Sequence, residues 1–491
     1  MSDRIASTTH ERAVPDVLVI GAGLAGLAAT VALSGAGARV RLLERKPYVG
    51  GRAYSYPHPA LEEVIDSQHV LLGCCTNLVD LCERSGASRH LRWYDRIPFL
   101  EPATESRATR ESRIGAGSLP APSHATPTFL AAPMLSLADK ASIGLALLDF
   151  LRGYPADDHE AFTTWLARKR QSQSAIRHFW EPIILATLND SFDRCSTRYA
   201  GKVMHESFFK NPLGGKLGIP SQPLSVFYAA FARLAEKQGA EIALRVSIER
   251  IERASDGLWR ATAGDGTVHT APQLVLALPF EQTSKLLATL PEDAPQRQAI
   301  EPSLPHFTHA PITTIHLWFD RPITTLEHAG LLDTRIQWMF NKTLIRQFEP
   351  VSVTNPCAPS ERGQYLELVI SGSFPELHQT REQILQPALD ELARFFPAVR
   401  SAQLLKSGVL KEARATFSVT PGLDAHRPTA DAAGGGLYLA GDWTRTDWPA
   451  TMEGAVRSGR LAANAIARAT GHAAEFVSPE LPPTGLMRLL L

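Results

Sequence analysis

Two hydrophobic periods alternate along this chain. Residues 17–20, Val-Leu-Val-Ile, form an unbroken apolar run of the kind a parallel strand needs when both of its faces are covered. From 24 to 33 the pattern turns small and alanine-rich, as for a helix packed tightly on a sheet, and residues 39–43 read as a second strand. A helix is predicted from Asn77 to Ser85, a strand-like core over 91–100, and a charged, solvated hairpin tip from there to Gly117. Prolines between 119 and 133 exclude a helix interior. A helix starts again at Ser136, where Leu137, Ile143, Leu147, Leu148 and Leu151 fall at spacings compatible with one apolar face. In the simplest reading that face packs on its own domain; with Phe129, Leu130, Met134 and Leu135 before it, it could instead touch a bilayer or line a lipid tunnel.

Helical, aromatic-rich sequence continues through Phe162, Trp165, Phe179 and Trp180, is interrupted at Pro182, and ends in the apolar run before Asn189 and Asp190. Residues 212–223 read as an irregular link, 224–238 as an amphipathic helix, and 240–251 as one or two strands. Segments 258–262 and 267–270, separated by Gly264-Asp265-Gly266, form a hairpin signal. Residues 273–279 return to the first sheet, and 313–319, 337–341 and 365–370 alternate as a mixed or antiparallel sheet would. A helix over 381–396, a lead-in over 409–418 and a final strand over 436–440 complete the body. The expected division is a discontinuous cofactor domain from 14–75, 224–300 and 405–470, a substrate domain with a helical insertion from 76–223 and 301–404, and a tail over 471–491.

The first strand feeds into Gly21-Ala22-Gly23-Leu24-Ala25-Gly26. Gly21 makes the tight turn, Gly23 leaves room for a pyrophosphate beside the backbone, and Gly26 lets helix and strand approach. Open amides at the helix start then hold phosphates. The second strand ends at Glu44, an acid placed to accept both hydroxyls of an unphosphorylated ribose. The continuation Arg45-Lys46-Pro47-Tyr48-Val49-Gly50-Gly51-Arg52 lets the chain pass close to another part of the same cofactor, with Arg52 adding positive charge.

At 491 residues the chain is long enough for two domains with substantial cores. Lys plus Arg and Asp plus Glu each total 50, so nothing points to a nucleic-acid partner, which calls for a basic surface. The five cysteines, Cys74, Cys75, Cys82, Cys195 and Cys357, form no C-x-x-C pair and no metal-ligand set, and reduced thiols are expected. Residues 1–13 lack the apolar stretch of a signal peptide, which predicts a cytoplasmic protein. No segment approaches about 18 apolar residues, so a spanning helix is not expected, though lying on the inner membrane is.

With its Gly-Gly-Arg segment the chain resembles the flavoprotein superfamily of amine oxidases and carotenoid desaturases, which implies tightly bound FAD. The implied fold is the two-domain α/β arrangement of amine oxidases, a Rossmann-type FAD domain beside a mixed-sheet substrate domain carrying a helical insertion. More specific phrases are Asp66-Ser67-Gln68-His69-Val70-Leu71-Leu72-Gly73, Arg92-Trp93-Tyr94-Asp95, Leu135-Ser136-Leu137-Ala138-Asp139-Lys140, Phe179-Trp180-Glu181-Pro182-Ile183 and Leu188-Asn189-Asp190. Over residues 16–467 these resemble the hydroxysqualene dehydroxylase family, the squalene-associated branch of the desaturases. The resemblance implies reduction of hydroxysqualene to squalene in hopanoid synthesis, an electron donor for FAD, neighbouring squalene-pathway enzymes and peripheral membrane contact. It also implies that Val246 meets the adenine end of FAD. Near the C-terminus Gly441-Asp442 ends a strand; Asp442 can contact the ribityl region, and amides around Met452, Gly454 and Ala455 can approach the isoalloxazine. For the proton that the leaving hydroxyl needs, His69 is the first candidate, Asp190 the second and Asp447 the third, although a loop-lining histidine and capping or solvated aspartates are the ordinary readings. Carotenoid desaturation or amine oxidation on the same scaffold, and a catalytically silent scaffold, are the other readings.

Overall fold

The computed structural model describes residues 14–346 and 363–491. Its first layer is a parallel sheet in the order Glu241–Leu244, Val40–Glu44, Val17–Ile20, Gln273–Leu276, Leu437–Leu439. The central strand Val17–Ile20 is buried throughout, because helices cover the sheet and leave no face to water. Helix Leu24–Gly35 packs against the last long helix, Met452–Ala469, and against Leu224–Lys237.

A second, mixed sheet of seven strands runs Leu404–Phe417, His309–Phe319, Gln364–Ser371, Trp338–Asn341, His328–Leu331, Arg96–Glu101, Arg110–Gly115. Its pairs are antiparallel except His328–Leu331 with Arg96–Glu101. The hairpin expected near 258–270 forms as Trp259–Ala263 and Val268–Ala271. The two sheets and the helical insertion make the expected two-domain α/β fold.

Several local expectations change. The run 91–100 breaks at Asp95: Leu91–Tyr94 pairs with Leu217–Pro220 in a small sheet, and the chain then enters the large one. The link 212–223 therefore contains a strand, with its proline at the strand end, where a missing N–H costs least. Pro182 does not interrupt its helix. It lies within Ile176–Leu185, whose wider i→i+5 turns relieve the clash that a proline ring causes in a tighter helix. Helix Leu137–Leu147 is opened by a capping box between Ser136 and Asp139. It buries Ile143 and Ala146 but leaves Leu137 83% exposed, with Leu145 and Leu148 also outward. Part of its apolar set therefore does not pack on its own domain, since the leucines occupy two sides of the helix.

The tail docks on both domains. Arg460 donates to Ser478 Oγ (2.6 Å), the Phe476 amide to Asn464 (2.7 Å), Asn211 to the Pro482 carbonyl (2.9 Å) and the Leu486 amide to the Ala121 carbonyl (2.9 Å). Cys74, Cys75, Cys82 and Cys195 are free and buried, and burial pushes the Cys82 thiol up to about 12; Cys357 lies outside the described residues. Among the described residues no helix is long and apolar enough to cross a membrane.

Candidate cofactor site and active site

The glycine turn is built for closeness. A Cβ on Gly26 would stand 1.9 Å from the Gly21 carbonyl oxygen, so no other residue lets helix Leu24–Gly35 begin there, with Leu24 and Ala25 already buried. The Gly50 amide donates to the Ala22 carbonyl (2.8 Å). Gly51, at φ +69°, lies so near Gly23 that a Cβ would come within 3.0 Å of its Cα. The two glycine segments thus touch, leaving bare backbone where side chains would otherwise fill a phosphate cradle.

Glu44 is buried, and its carboxylate accepts from the Ala22 amide (2.7 Å) and the Lys46 amide (2.9 Å). The acid therefore fastens the glycine turn to the end of its own strand, and each oxygen keeps a lone pair for a further donor. Val246 lies beside it, donating its N–H to the Glu44 carbonyl (2.9 Å). Arg45 points to solvent, whereas Lys46 Nζ reaches the Gly51 carbonyl (2.9 Å).

Arg52 meets Asp442 through both carboxylate oxygens (2.7 and 2.8 Å), joining the second glycine segment to the C-terminal one. Gly441 donates its amide to Ser458 (2.8 Å). Thr451 caps the helix Met452–Ala469, taking the Gly454 amide on its hydroxyl (3.1 Å) and the Ala455 amide on its carbonyl (3.0 Å). Of the amides expected to face a flavin, those of Gly454 and Ala455 are thus committed, and the first-turn donors of Met452 and Glu453 are the open kind. No motif marks Arg427, yet this buried guanidinium holds the loop together through the carbonyls of Asp442 (2.9 Å), Thr444 (2.6 Å) and Trp448 (2.8 Å).

The three candidate acids stand in separate settings. His69 is half-buried, and its Nδ1 donates to the Ser67 carbonyl (2.7 Å), so the neutral ring presents Nε2 as an acceptor. Burial holds the imidazole below its ordinary range. Asp190 is fully buried, accepting from the Ser191 amide (2.8 Å) and from Arg194 (3.0 Å). Its neighbour Asn189 bridges to the Ala310 carbonyl and the Gly372 amide, tying the helical insertion to the large sheet. Asp447, at φ +62°, accepts from Tyr154 (2.9 Å), Lys202 (3.0 Å) and Arg198. Burial pushes its carboxyl up, but Lys202, Tyr154 and Arg198 outweigh that and hold it below the usual range.

Beside His69 lies a buried charge cluster. Lys342 Nζ contacts Asp66 (3.0 Å), Glu367 (3.0 Å) and Gln68 (2.6 Å), and Arg346 reaches Asp66 (2.7 Å). Glu367 in turn accepts the Gln68 amide at 2.6 Å. Burial raises the Asp66 carboxyl, but the two cations dominate and hold it far below the usual range; burial leaves Glu367 raised. The cluster fastens the loop before His69 to strand Gln364–Ser371. A second feature is a small apolar cleft, with a free volume of about 20 Å³, walled by Ile97, Phe99, Ile114, Ile183 and Phe208.

A glycine-built turn at the head of a parallel sheet, with a second domain on a mixed sheet, is the architecture of flavoprotein oxidoreductases. The chain belongs to the family of flavin containing amine oxidoreductases, whose sequence pattern matches residues 24–467, and FAD is its cofactor. It is 26% identical to the zeta-carotene desaturase of Synechocystis sp., over 92% of this chain and 96% of that one. It is also 26% identical to the chloroplastic 15-cis-phytoene desaturase of Solanum lycopersicum, over 92% and 77% respectively. The fold matches that of cyclohexylamine oxidase from Brevibacterium oxydans, with a TM-score of 0.65 at 19% identity over 94% of this chain and 100% of the other.

Proposed function

We propose that this oxidoreductase acts on a long isoprenoid chain and that its reaction is the reductive dehydroxylation of hydroxysqualene to squalene. The observation that carries the substrate class is the apolar lining of the cleft beside the large sheet, Ile97, Phe99, Ile114, Ile183 and Phe208, because a hydrocarbon offers almost nothing to hydrogen-bond and is held by area. The phrases around His69, Trp93, Asp139, Trp180 and Asp190 support the particular substrate. The reaction balances as the alcohol plus two electrons and two protons giving squalene and water, with the electrons delivered by a separate donor.

Gly21 to Gly26, Gly50 and Gly51 would hold the pyrophosphate of FAD, Glu44 its ribose, Val246 its adenine end, and Asp442 with Arg52 the ribityl side. Bound FAD supplies hydride transfer to or from a substrate carbon. The chain's own task is to place that carbon, keep water out and deliver a proton to the departing hydroxyl. His69 serves through Nε2, which carries a proton once the ring is charged. Asp447, an ionised acceptor among cations, positions rather than donates, and Asp190 braces the covering helices.

The cytoplasmic face of the inner membrane is the proposed location. Exposed Leu119, Leu130, Leu137, Leu145 and Leu148 follow one another in the chain, and the tail tied to Ala121 adds Leu486, Leu489 and Leu491. A second reading, desaturation of a carotenoid-type chain, is favoured by the names of the desaturase relatives and runs electrons the opposite way.

Anaerobic mixing decides between them. Reduced protein mixed with hydroxysqualene should show flavin reoxidation matched by squalene. Flavin reduction on mixing oxidised protein with phytoene or zeta-carotene would replace the first reading by the second, and silence in both experiments would end both.

A further inference from the structure

We propose that Gln68 and Glu367 are positioning residues that aim the His69 imidazole, and that the phrase Asp66-Ser67-Gln68-His69 works as one unit to hold that ring. The Ser67 carbonyl and the Gln68 N–H belong to a single planar peptide unit, so whatever fixes one of them fixes the other. Glu367 takes that N–H at 2.6 Å, and the carbonyl across the same plane takes the His69 Nδ1–H at 2.7 Å. The peptide after His69 is gripped as well. Gln68 Nε2 donates to the His69 carbonyl (2.8 Å), while Gln68 Oε1 accepts from Lys342 (2.6 Å). A carbonyl only accepts and an ammonium only donates, so this amide can stand just one way round.

The support beneath is buried and tied on two sides. Glu367 is 0% and Lys342 2% exposed. Asp66, which opens the phrase, accepts from the Ser55 hydroxyl (3.0 Å) and the Leu224 amide (3.3 Å) besides its two cations. The phrase is thus fixed at its first residue to the start of helix Leu224–Lys237 and at its third to strand Gln364–Ser371. Freezing a glutamine costs conformational entropy, and burying an ion cluster costs desolvation. Apolar side chains of the same size would join the two segments as firmly, so the arrangement serves direction rather than adhesion. The charged and titratable groups gathered beside the ring are Asp66, Lys342, Arg346, Glu367 and, next to Lys342, His316. Replacing Gln68 changes none of them. The assignment rests on the reading that His69 delivers a proton.

Two measurements on the FAD-loaded full chain test it. The first reads the ring itself: in protein carrying isotope-labelled histidine, the magnetic resonance signal absent from His69→Ala belongs to that residue. Its titration midpoint should move up toward the ordinary imidazole value in Gln68→Ala, as the loosened ring meets water. The second is a double-mutant cycle on the single-turnover rate of flavin oxidation with excess hydroxysqualene. Gln68→Ala should slow the rate about 10-fold or more. Added to His69→Ala, it should slow it no more than about twofold further, because a residue that acts through another has nothing left to aim. Losses that multiply overturn the proposal, and so does a wild-type midpoint or a wild-type rate in Gln68→Ala. Glu367→Gln, whose Oε1 can still take the Gln68 N–H, should keep more of the rate than Glu367→Leu; equal losses would strike Glu367 from the assignment. That pair also reads the aiming if Gln68→Ala fails to fold. A His69→Ala protein with the wild-type rate would sink the donor reading, and the resonance signal would still decide whether Gln68 aims the ring.

Discussion

Glu44 shows how one side chain can serve the fold and a ligand together. Its oxygens bind two backbone amides, one of them in the glycine turn, so removing the carboxylate would free the turn as well as the ribose contact proposed for it. Glu44→Gln should weaken FAD binding by about 10-fold or more while the far-ultraviolet circular dichroism is kept, as measured by FAD titration of apoprotein. The proton donor is tested at the same scale. His69→Ala, Asp190→Asn and Asp447→Asn are compared by the single-turnover rate of flavin oxidation with excess hydroxysqualene. A true donor loses about 100-fold or more with FAD content near wild type. Because the His69 imidazole is held low, its proton-bearing form accumulates only as pH falls below about 6.5, so the wild-type rate should climb toward acid and His69→Ala should flatten that limb. A climb that survives His69→Ala would place the donor elsewhere.

Between elements, the buried charges join the loop before His69 to the large sheet, and their neighbour His316 makes the joint sensitive to pH. His316 is fully buried between Tyr365 (2.7 Å) and Thr314 (3.1 Å), and burial, aided by Lys342, pulls its imidazole down to about 3. Between about pH 6.5 and that value the unfolded chain binds a proton that the folded one refuses, so stability is complete above this window and declines as pH falls through it. The full decline is on the order of 5 kcal/mol. Thermal melts at stepped pH should show a steep acid loss in the wild type and a shallower one in His316→Gln. The glycine turns, the strand Val17–Ile20 and the hairpin after Trp259 were legible in the sequence because each is decided by neighbours within a few residues. Glu367 carried a partial signal, as an acid inside an apolar strand run. Its partner Lys342 and the loop-holding Arg427 carried none, because Lys342 meets Asp66 across 276 positions of sequence and Arg427 meets Asp442 across 15, and no local period records such meetings. The helix after Ser136 failed differently: with leucines on two sides, spacing alone could not say which side would be covered.

At the scale of the whole molecule, the exposed leucines of the Ser136 helix and of the tail are the features on which the proposed membrane contact rests. Leu137 and Leu489 are each more than four-fifths exposed, and burying a leucine contributes about 1.5–3 kcal/mol. Wild-type protein should therefore float with liposomes, and the double change Leu137→Glu, Leu489→Glu should release it by about 10-fold or more; flotation unaltered by the pair would move the contact elsewhere. The tail that carries Leu489 also hydrogen-bonds at one end to the helix Met452–Ala469 and at the other to Asn211 and Ala121. A strap fixed at both ends adds to the joint that Asp66, Lys342 and Glu367 already make between the two sheets. Calorimetry of the whole chain should give one cooperative heat-absorption peak, and a chain ending at residue 470 should give a broader peak at lower temperature; an unchanged peak would show that the strap carries no load.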